Sequence, residues 1–422
     1  MNFKELLKSG LRSTESFAQT DMVYLAQGGF WLTLARAVGM ASSLLVALAM
    51  ANWLMPQVFG MYRFAISAAA IIAAFSLTGM QSAVTQAVAR GFEGALRAGV
   101  MHNLRWSIGV VAGSVAAATY YYVNANPTLA LSFLVIGSFY PIISSTALYA
   151  SFLSGKRDFR TFALYDIVRS ILPASALVSA VYVTQNPVLL VLTYFASNAI
   201  SASLLYLMTL RRCSPGTSVD SSTVPYAWHL SAMGVLTKIA EQVDKILVFH
   251  YLGAVQLAVY VFALTPIEHL KLLNDIPAKL ALPKLSARSI GELKESLPRK
   301  IGLLMLVMAA IAFIYIVAAP YIFGFFFPQY GESVPYTQVL ILSIILLPAS
   351  FFTEAFTAQM RKKELYISRT IVPLVRISSL LVLLPTYGVW GAVIATLATH
   401  IFTCALYTYL FMRAKPGVEN IA

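Results

Sequence analysis

The segment "GFWLTLARAVGMASSLLVALAM" runs from Gly29 to Met50 and is apolar at all but a few positions. It is long enough to cross a bilayer, because a transmembrane helix needs roughly 20 mainly apolar residues. Arg36 interrupts it in its first third, where hydrocarbon disfavours a charge. We therefore expect a membrane-spanning helix whose arginine faces a partner helix or a water-filled cavity.

The composition supports a membrane protein. The chain has 422 residues, of which 59% are hydrophobic and 11% charged, whereas soluble chains carry about 25% charged residues. Its net charge of +13 could suggest nucleic acid, but in a membrane protein it more simply reflects basic residues in the cytoplasmic loops. Cys213 and Cys404 lack metal or redox spacing. The sequence also lacks P-loop, HExxH and CxxC motifs, so we expect no metal or cofactor and no nucleic-acid partner.

Hydropathy predicts twelve membrane spans, numbered here in chain order. They cover residues 30–52, 62–88, 105–123, 128–151, 163–184, 187–210, 228–250, 254–280, 301–320, 334–357, 367–385 and 388–412. The charged segment 1–21 is expected to lie along the membrane interface rather than to be a cleaved signal. After span 8, Ser289 and Glu292 form a capping box, which predicts a short surface helix with Ile290, Leu293 and Leu297 as its apolar stripe.

The basic residues orient these spans. In the twelve-span arrangement, 23 of the 30 lysines and arginines fall on one side, before span 1, in the loops after spans 2, 4, 6, 8 and 10, and after span 12. The short loops on the opposite side contain none. Because positive loops stay in the cytoplasm, both termini are expected to be cytoplasmic.

The sequence contains a weak internal repeat. "LMPQVFGMYRFAIS" (54–67) aligns with "LGAVQLAVYVFALT" (252–265), and a basic loop precedes both Val168-Arg169 and Val375-Arg376. Such repeats are typical of transporters that bind substrate between two halves. We therefore predict two six-helix lobes, 1–210 and 226–422, joined by a cytoplasmic linker at 211–225.

Seven basic residues remain inside the predicted spans: Arg36, Arg63, Arg169, Lys238, Lys245, Lys271 and Arg376. Each costs roughly 2.5–3.5 kcal/mol at the centre of a span on insertion scales, so their positions need an explanation. The acidic residues there, Asp166, Glu241, Asp244, Glu268, Asp275 and Glu354, nearly balance them. The interior is therefore of mixed charge rather than purely cationic.

The buried charges allow structural and functional interpretations. Arg63, near an outer end, can extend to the interface, and Arg169 can pair with Asp166 three residues earlier. Arg36 and Arg376 have no acidic residue at helical spacing. The charges of spans 7 and 8, where Glu241 and Lys245 stand in the favourable i,i+4 order, form either a salt-bridge network between lobes or the wall of a polar cavity.

We predict that the basic set binds an anionic head group in a cavity, and that an acidic set serves ion coupling or gating. The predicted binding residues are Arg36, Arg63, Arg169, Lys238, Lys245, Lys271 and Arg376. The predicted coupling residues are Asp166, Glu241, Asp244, Glu268 and Asp275.

Several motifs resemble those of one family. "LMPQVFGMYRF" (54–64) resembles the Pro-x-x-(Tyr/Phe)-Gly-x-Tyr pattern of polysaccharide-export flippases in the MATE/MOP superfamily. "FFPQYGESVPYTQVL" (326–340) and "YGVWGAVIA" (387–395) resemble the second-half motifs of that family, and "SLTGMQSAVTQAVARGFEG" (76–94) is similar in position and character. Twelve spans suit the O-antigen (Wzx-type) branch better than the fourteen-span peptidoglycan-precursor flippases.

The resemblance implies an all-α, V-shaped pair of six-helix bundles related by a pseudo-two-fold axis, with a central cavity lined largely by spans 1, 2, 7 and 8. It implies a bacterial inner-membrane protein, expected to be monomeric. Such a protein carries undecaprenyl-diphosphate-linked oligosaccharide to the outer leaflet by alternating access, with possible H⁺ or Na⁺ coupling, and can work with polysaccharide polymerase or glycosyltransferase machinery. Arg36, Lys238, Lys245, Glu268 and Lys271 fit the implied cavity, whereas Arg169 and Arg376 lie on spans that fit it less well.

Two other functions remain open from the sequence. A MATE-type drug or cation exporter shares the fold, but it favours unpaired acidic residues in its cavity, and the unpaired residue of span 1 is basic. A membrane enzyme such as a polysaccharide polymerase or ligase usually places its active groups in a sizeable outer loop. The six predicted outer loops are short, so the sequence favours a transporter over an enzyme.

Overall fold

The computed structural model describes residues 22–286 and 290–414, and within them the side chains of all but 22–28, 272–284 and 286. The described residues form helices and turns and no strand. The predicted interface segment 1–21 and the capping residue Ser289 lie outside the described residues.

The first half of the chain is a series of helices joined by short turns. They are Met22–Trp53, Pro56–Ala73, Met80–Ala89, Ala95–Trp106, Ile108–Val123, Pro127–Thr146, Leu148–Gly155, Phe159–Val183 and Pro187–Cys213. Three of them begin at side-chain caps, in which Asn126, Asp158 and Asn186 accept hydrogen bonds from backbone N–H groups of the first turn.

The second half continues in the same way. Its helices are Thr223–Ser286, Ile290–Phe326, Ser333–Leu340, Ser350–Ala358, Lys362–Tyr387 and Val389–Arg413, with 3₁₀ turns at Pro328–Tyr330 and Ile341–Ala349. Spans 7 and 8 both lie in Thr223–Ser286, which reverses at Gly253. The φ of Gly253 is +84°, a conformation that glycine adopts without the steric cost of a Cβ atom.

Ten helices in the described part of the chain are long and apolar enough to cross a membrane. One of them, Thr223–Lys271, contains both span 7 and span 8. Span 3 is not among the ten because a bend at Ser107 divides it into two shorter helices. The Ser107 hydroxyl donates to the Asn103 carbonyl at 2.7 Å, a bond that often bends helices. The prediction of an all-helical, multi-pass membrane protein is confirmed.

Span 2 is not one helix as predicted. Residues 74–79 interrupt it, so that Pro56–Ala73 and Met80–Ala89 are separate helices. The interruption is held by a buried contact, in which the Gly79 N–H donates to Ser231 Oγ at 2.9 Å. A Cβ at Gly79 would lie 2.4 Å from the Ala227 carbonyl oxygen, so this close approach depends on glycine. A hydropathy pattern cannot show a break that is stabilised from a distant segment.

The segment after span 8 also differs from its prediction as a short surface helix. Residues 290–297 continue without interruption into span 9 as the 37-residue helix Ile290–Phe326. Ile290, Leu293 and Leu297 are buried, and the last two belong to a core cluster that also contains Phe352 and Phe411. Because this apolar stripe continues in phase to Ile301 at the next helical step, the segment packs inside the protein rather than on a membrane surface.

The chain forms two compact units. Unit 1 contains the residues up to Met50 and Ile72–Met233, and unit 2 contains Ala51–Ile71 and the residues from Gly234 onward. These units depart from the predicted lobe boundaries at 51–71 and 226–233, and the division into lobes 1–210 and 226–422 stays a prediction. Residues 51–71 belong to unit 2 because they pack tightly there: a Cβ at Gly60 would lie 1.9 Å from the Ala254 carbonyl oxygen.

Candidate functional site

Spans 1 and 5 run side by side in unit 1, in the same direction. The Arg160 guanidinium lies over the Trp31 ring, 5.5 Å from its centroid. Two turns further along, a Cβ at Gly39 would lie 3.3 Å from Ser170 Oγ. These two pairs are 129 and 131 residues apart, so the register between the helices changes by only two residues over this length. That register brings Arg36 opposite Asp166.

We define the Arg36 cluster as Arg36, Asp166 and Arg169. Asp166 lies within electrostatic reach of both Arg169 and Arg36, and Arg169 also interacts with Tyr149. Arg36 is exposed, while Asp166 and Arg169 are half-buried. In the described part of the chain, no ion pair within 4 Å joins the three residues. The cluster carries a net positive charge, and because no carboxylate among the described residues lies within 4 Å of its guanidinium groups, they can form charge-assisted hydrogen bonds with an anion.

We define the Asp244 cluster, in unit 2, as Asp244, Tyr260, Arg376 and Thr396. The Asp244 side chain is 1% exposed and accepts from Arg376 Nη2 at 2.9 Å. Tyr260 Oη donates to the same carboxylate oxygen at 3.1 Å and lies 3.3 Å from Thr396 Oγ1. The cluster therefore joins spans 7, 8, 11 and 12 around one buried, compensated charge.

Arg376, which the sequence assigned to anion binding, thus has an internal counter-ion. Its Nη2 is committed to Asp244, and its Nε is buried without a hydrogen-bond partner in the described residues. A substrate anion at Arg376, or a coupling cation at Asp244, would have to compete with this buried ion pair.

Glu241 and Lys245 do not form the ion pair that their i,i+4 spacing suggested. Glu241 Oε2 accepts from Lys238 Nζ at 2.9 Å, and both side chains are about half exposed. Lys245 Nζ lies 3.4 Å from Glu268 Oε1 on span 8, with only 6% of the lysine side chain exposed. Lys245 is buried toward span 8, so it cannot extend along the exposed face of span 7 to Glu241.

The remaining predicted residues lie apart from these clusters. Arg63 is half-buried, and its Nε is buried without a hydrogen-bond partner in the described residues. Lys271 is exposed, and it lies with Arg376 within electrostatic reach of His400. The side chain of Asp275 lies outside the described residues.

Unit 2 contains a small cavity of ≈ 160 Å³ between spans 7, 11 and 12. Its polar lining consists of Thr237, Glu241, Arg376, Thr396, Thr399, His400 and Thr403. This mixture of hydroxyl, carboxyl, imidazole and guanidinium groups can hold water or a small ion. No cluster of three or more His, Cys, Asp or Glu residues that could hold a metal occurs in the part of the chain that the structure describes.

Unit 1 contains a larger cleft of ≈ 510 Å³ between the helices Met80–Ala89, Leu148–Gly155 and Phe159–Val183. Its polar lining consists of Gln81, Ser82, Thr85, Gln86, Ser151 and Ser154. Charge counting missed this cleft because none of these residues is ionisable. The polar residues at helical spacing in "GMQSAVTQAVAR" (79–90) were the only signal.

Ion pairs join three loops of unit 1 outside the spans. Glu93 accepts from Lys156 Nζ and from the Gly216 N–H, and these bonds hold the pKa of the Glu93 carboxyl below its usual value. Arg90 pairs with Asp220 at 2.7 Å. These contacts connect the loops after spans 2 and 4 to the linker after span 6, on the side predicted to face the cytoplasm.

Sequence reasoning also missed the partners of Asp244. Tyr260 stood out only as one match in the internal repeat, opposite Tyr62, and Thr396 carried no signal. Tyr260 lies on span 8 and Thr396 on span 12, whereas Asp244 lies on span 7, so their role depends on tertiary packing.

Solved structures with the same fold are transporters. One is a multidrug resistance MATE family transporter of the MOP superfamily in an inward-facing conformation, with a TM-score of 0.69 and 13% identity over 89% of this chain and 94% of that one. Another is the lipid II flippase MurJ in an inward closed conformation, with a TM-score of 0.66 and 12% identity over 91% and 87% of the two chains. Because both identities are low, these two matches show a shared fold and no more.

A third structure is a MOP superfamily transporter from Pyrococcus furiosus, for which a reversed polarity of the binding pocket suggests a different function. Its TM-score is 0.63, with 15% identity over 91% of this chain and 95% of that one. No curated protein matches the chain in sequence.

The sequence itself matches one family profile, described as "Polysaccharide biosynthesis protein", over residues 25–287. That match covers more than half of the chain and includes the Arg36 cluster, the cleft of unit 1 and Asp244. The chain therefore belongs to the polysaccharide biosynthesis protein family, and its fold is that of the MOP superfamily transporters.

Proposed function

We propose that the protein is a flippase for undecaprenyl-diphosphate-linked oligosaccharide, the repeat unit of an O-antigen, capsule or exopolysaccharide. It moves this lipid from the inner to the outer leaflet of the bacterial cytoplasmic membrane by alternating access, with both termini in the cytoplasm. The family match and the fold shared with a lipid II flippase support this proposal.

The observation that carries the proposal is the state of Arg36. It is an exposed arginine within an apolar span, in a cluster of net positive charge and without a close ion pair in the described residues. A guanidinium group presents several donors in a fixed plane, which matches the oxygens of a diphosphate. A cation exporter would need the opposite charge at this position, so the cluster favours an anionic head group.

The acidic residues of spans 7 and 8 are our candidates for coupling transport to H⁺ or Na⁺. Glu241 and Glu268 are exposed, and each forms an ion pair with one lysine among the described residues, so their carboxylates can exchange partners. Asp244 is less suitable because Arg376 already compensates its charge.

Deletion of the gene followed by mass spectrometry of extracted lipids tests the proposal. We expect one complete lipid-linked repeat unit to accumulate, and we expect the wild-type gene but not Arg36→Ala to reverse the accumulation. Arg105→Ala is a matched control, because Arg105 is also an exposed arginine of unit 1, and it should behave as wild type. A normal lipid profile with a normal polysaccharide coat would contradict the proposal, and increased drug susceptibility of the same strain would support the exporter instead.

A further inference from the structure

The cleft of unit 1 is polar within a helix that the sequence places in the membrane. Gln81, Ser82 and Gln86 are exposed, and they lie on Met80–Ala89, most of which falls within predicted span 2. Polar side chains facing lipid would lose their hydrogen bonds to water at a cost of several kcal/mol. The cleft must therefore contain water, or a polar ligand that replaces water.

Its chemistry is neutral throughout. The amide of Gln81 and the hydroxyls of Ser82 and Ser154 supply both donors and acceptors. Gln86 adds an acceptor oxygen, while its Nε2 donates to Tyr226 Oη at 3.2 Å, and no lining side chain is charged. Phe162 adds an aromatic ring. Uncharged donors and acceptors beside an aromatic face suit a ligand with many hydroxyl groups and apolar C–H faces, which describes a saccharide. A diphosphate or an organic cation would require a lining charge.

The cleft also lies close to the Arg36 cluster. On span 5, Phe162 precedes Asp166 by four residues and Arg169 by seven, so all three lie on one helical face. One turn of helix advances about 5.4 Å, which places the aromatic ring about one turn from the acidic member of the cluster. A second connection runs through Tyr149, which interacts with Arg169 and directly precedes the cleft residues Ala150 and Ser151.

This adjacency matches the covalent structure of the proposed substrate. In a diphosphate-linked oligosaccharide the first sugar is bonded directly to a phosphate, so a phosphate site and a sugar site must adjoin. We propose that the cleft lined by Gln81, Ser82, Gln86 and Phe162 binds the saccharide of the lipid-linked substrate, while the Arg36 cluster binds its diphosphate. The inference rests on the flippase function proposed above and adds a glycan subsite to it.

Native mass spectrometry of the purified protein tests the subsite by competition between two lipids. The probes are the lipid-linked oligosaccharide extracted from the deletion strain and synthetic undecaprenyl diphosphate without sugar. We expect the wild type to prefer the glycosylated lipid and the double variant Gln81→Leu/Gln86→Leu to lose that preference by about tenfold or more, since each lost hydrogen bond is worth about 0.5–1.5 kcal/mol. Its affinity for undecaprenyl diphosphate should not change.

Two controls keep the result interpretable. Gln57→Leu replaces another exposed glutamine, outside the cleft, and it should leave both affinities unchanged. Arg36→Ala should weaken both lipids together, because they share the diphosphate. A thermal melt of each variant identifies any loss of fold, and Gln81→Ala provides a milder substitution if the double variant is unstable.

The outcomes separate the two proposals. A wild type that binds both lipids equally would overturn the glycan subsite and leave the flippase function standing. A double variant that loses both lipids equally, with an unchanged melting temperature, would overturn the subsite as well. If the deletion strain accumulates no lipid-linked oligosaccharide, or the wild type binds neither lipid, the proposed function itself fails.

Discussion

The two units place an arginine at related positions of the internal repeat, Arg169 in span 5 and Arg376 in span 11, but in opposite environments. In unit 1 the Arg36 cluster is partly exposed, carries excess positive charge and contains no ion pair within 4 Å among the described residues. In unit 2 the Asp244 cluster is buried, and a hydrogen-bonded carboxylate compensates its arginine.

The difference shows that a charged side chain inside a membrane span is not by itself evidence of a binding site. A guanidinium that already donates to a buried carboxylate contributes to folding, and removing one partner leaves an uncompensated charge. A guanidinium without a close counter-ion remains available to a ligand. This contrast predicts that substitutions in the two clusters separate stability from transport, and four experiments test it.

The largest effect is expected for Arg376→Ala. It leaves Asp244 buried without its counter-ion, which destabilises proteins by about 3–5 kcal/mol. We expect a clear fall in the melting temperature of the detergent-purified protein and in its membrane abundance. The double variant Asp244→Leu/Arg376→Leu, which removes both charges, should recover most of the loss. An Arg376→Ala protein with wild-type stability and no transport would show that Arg376 binds substrate, and the contrast between the clusters would be wrong.

Arg36→Ala is expected to affect transport rather than stability. A charge-assisted hydrogen bond is worth about 1.5–3 kcal/mol, so translocation of the lipid-linked oligosaccharide in proteoliposomes should fall by at least about tenfold at an unchanged melting temperature. Arg36→Lys should retain part of the activity, because it keeps the charge but loses the planar set of donors. Normal transport by Arg36→Ala would remove the Arg36 cluster from the binding site.

Within unit 2, Glu268→Gln should cost less than about 1 kcal/mol. Glu268 is 55% exposed and lies 3.4 Å from Lys245, and Lys245 retains the neighbouring charge of Asp244. The matched substitution Asp244→Asn also replaces a carboxylate with an amide, but at a buried position. It should lower the melting temperature much more than Glu268→Gln does. Equal effects of the two substitutions would mean that burial does not distinguish these carboxylates.

The smallest effect is expected for the loop pair of Glu93 and Lys156. Its hydrogen bonds lower the pKa of Glu93 in the folded state, so its contribution is present above the ordinary glutamate pKa and is lost as the pH falls through the folded-state value. Because both side chains are partly exposed, the contribution stays below about 1 kcal/mol. The melting temperatures of wild type and Glu93→Gln should differ slightly at pH 7 and converge as the pH falls through the folded-state pKa of Glu93. If the difference in melting temperature stays the same at every pH, the effect comes from packing and not from the charge of Glu93.

Much of the fold follows from local sequence. Apolar stretches of about 20 residues and the one-sided basic loops predict the spans, since both signals depend on the bilayer rather than on tertiary contacts. The break at 74–79 could not be predicted in this way, because Ser231 stabilises it from another helix. The continuous helix Ile290–Phe326 likewise depends on a core formed with Phe352 and Phe411.

From the sequence, the residues of the site could be predicted only as a list of candidates. The sequence marks Arg36, Asp166, Asp244 and Arg376 as charges inside apolar spans, but it cannot show which of them meet. The partner of Arg376 lies 132 residues away, and Asp166, the acidic residue opposite Arg36, lies 130 residues away on another helix. The cleft of unit 1 was invisible to charge counting because its polar residues are neutral.

The wide separation of Asp244 and Arg376 in the sequence also bears on how the protein is made. The ribosome delivers Asp244 to the membrane 132 residues before its counter-ion, and a carboxylate inside a span is costly on insertion scales, by about 2.5–3.5 kcal/mol at the centre. Until span 11 arrives, span 7 carries this cost without the compensation of Arg376. A chain truncated between spans 8 and 11 keeps this carboxylate without its counter-ion, and we expect it to be less stable in the membrane than the full-length protein.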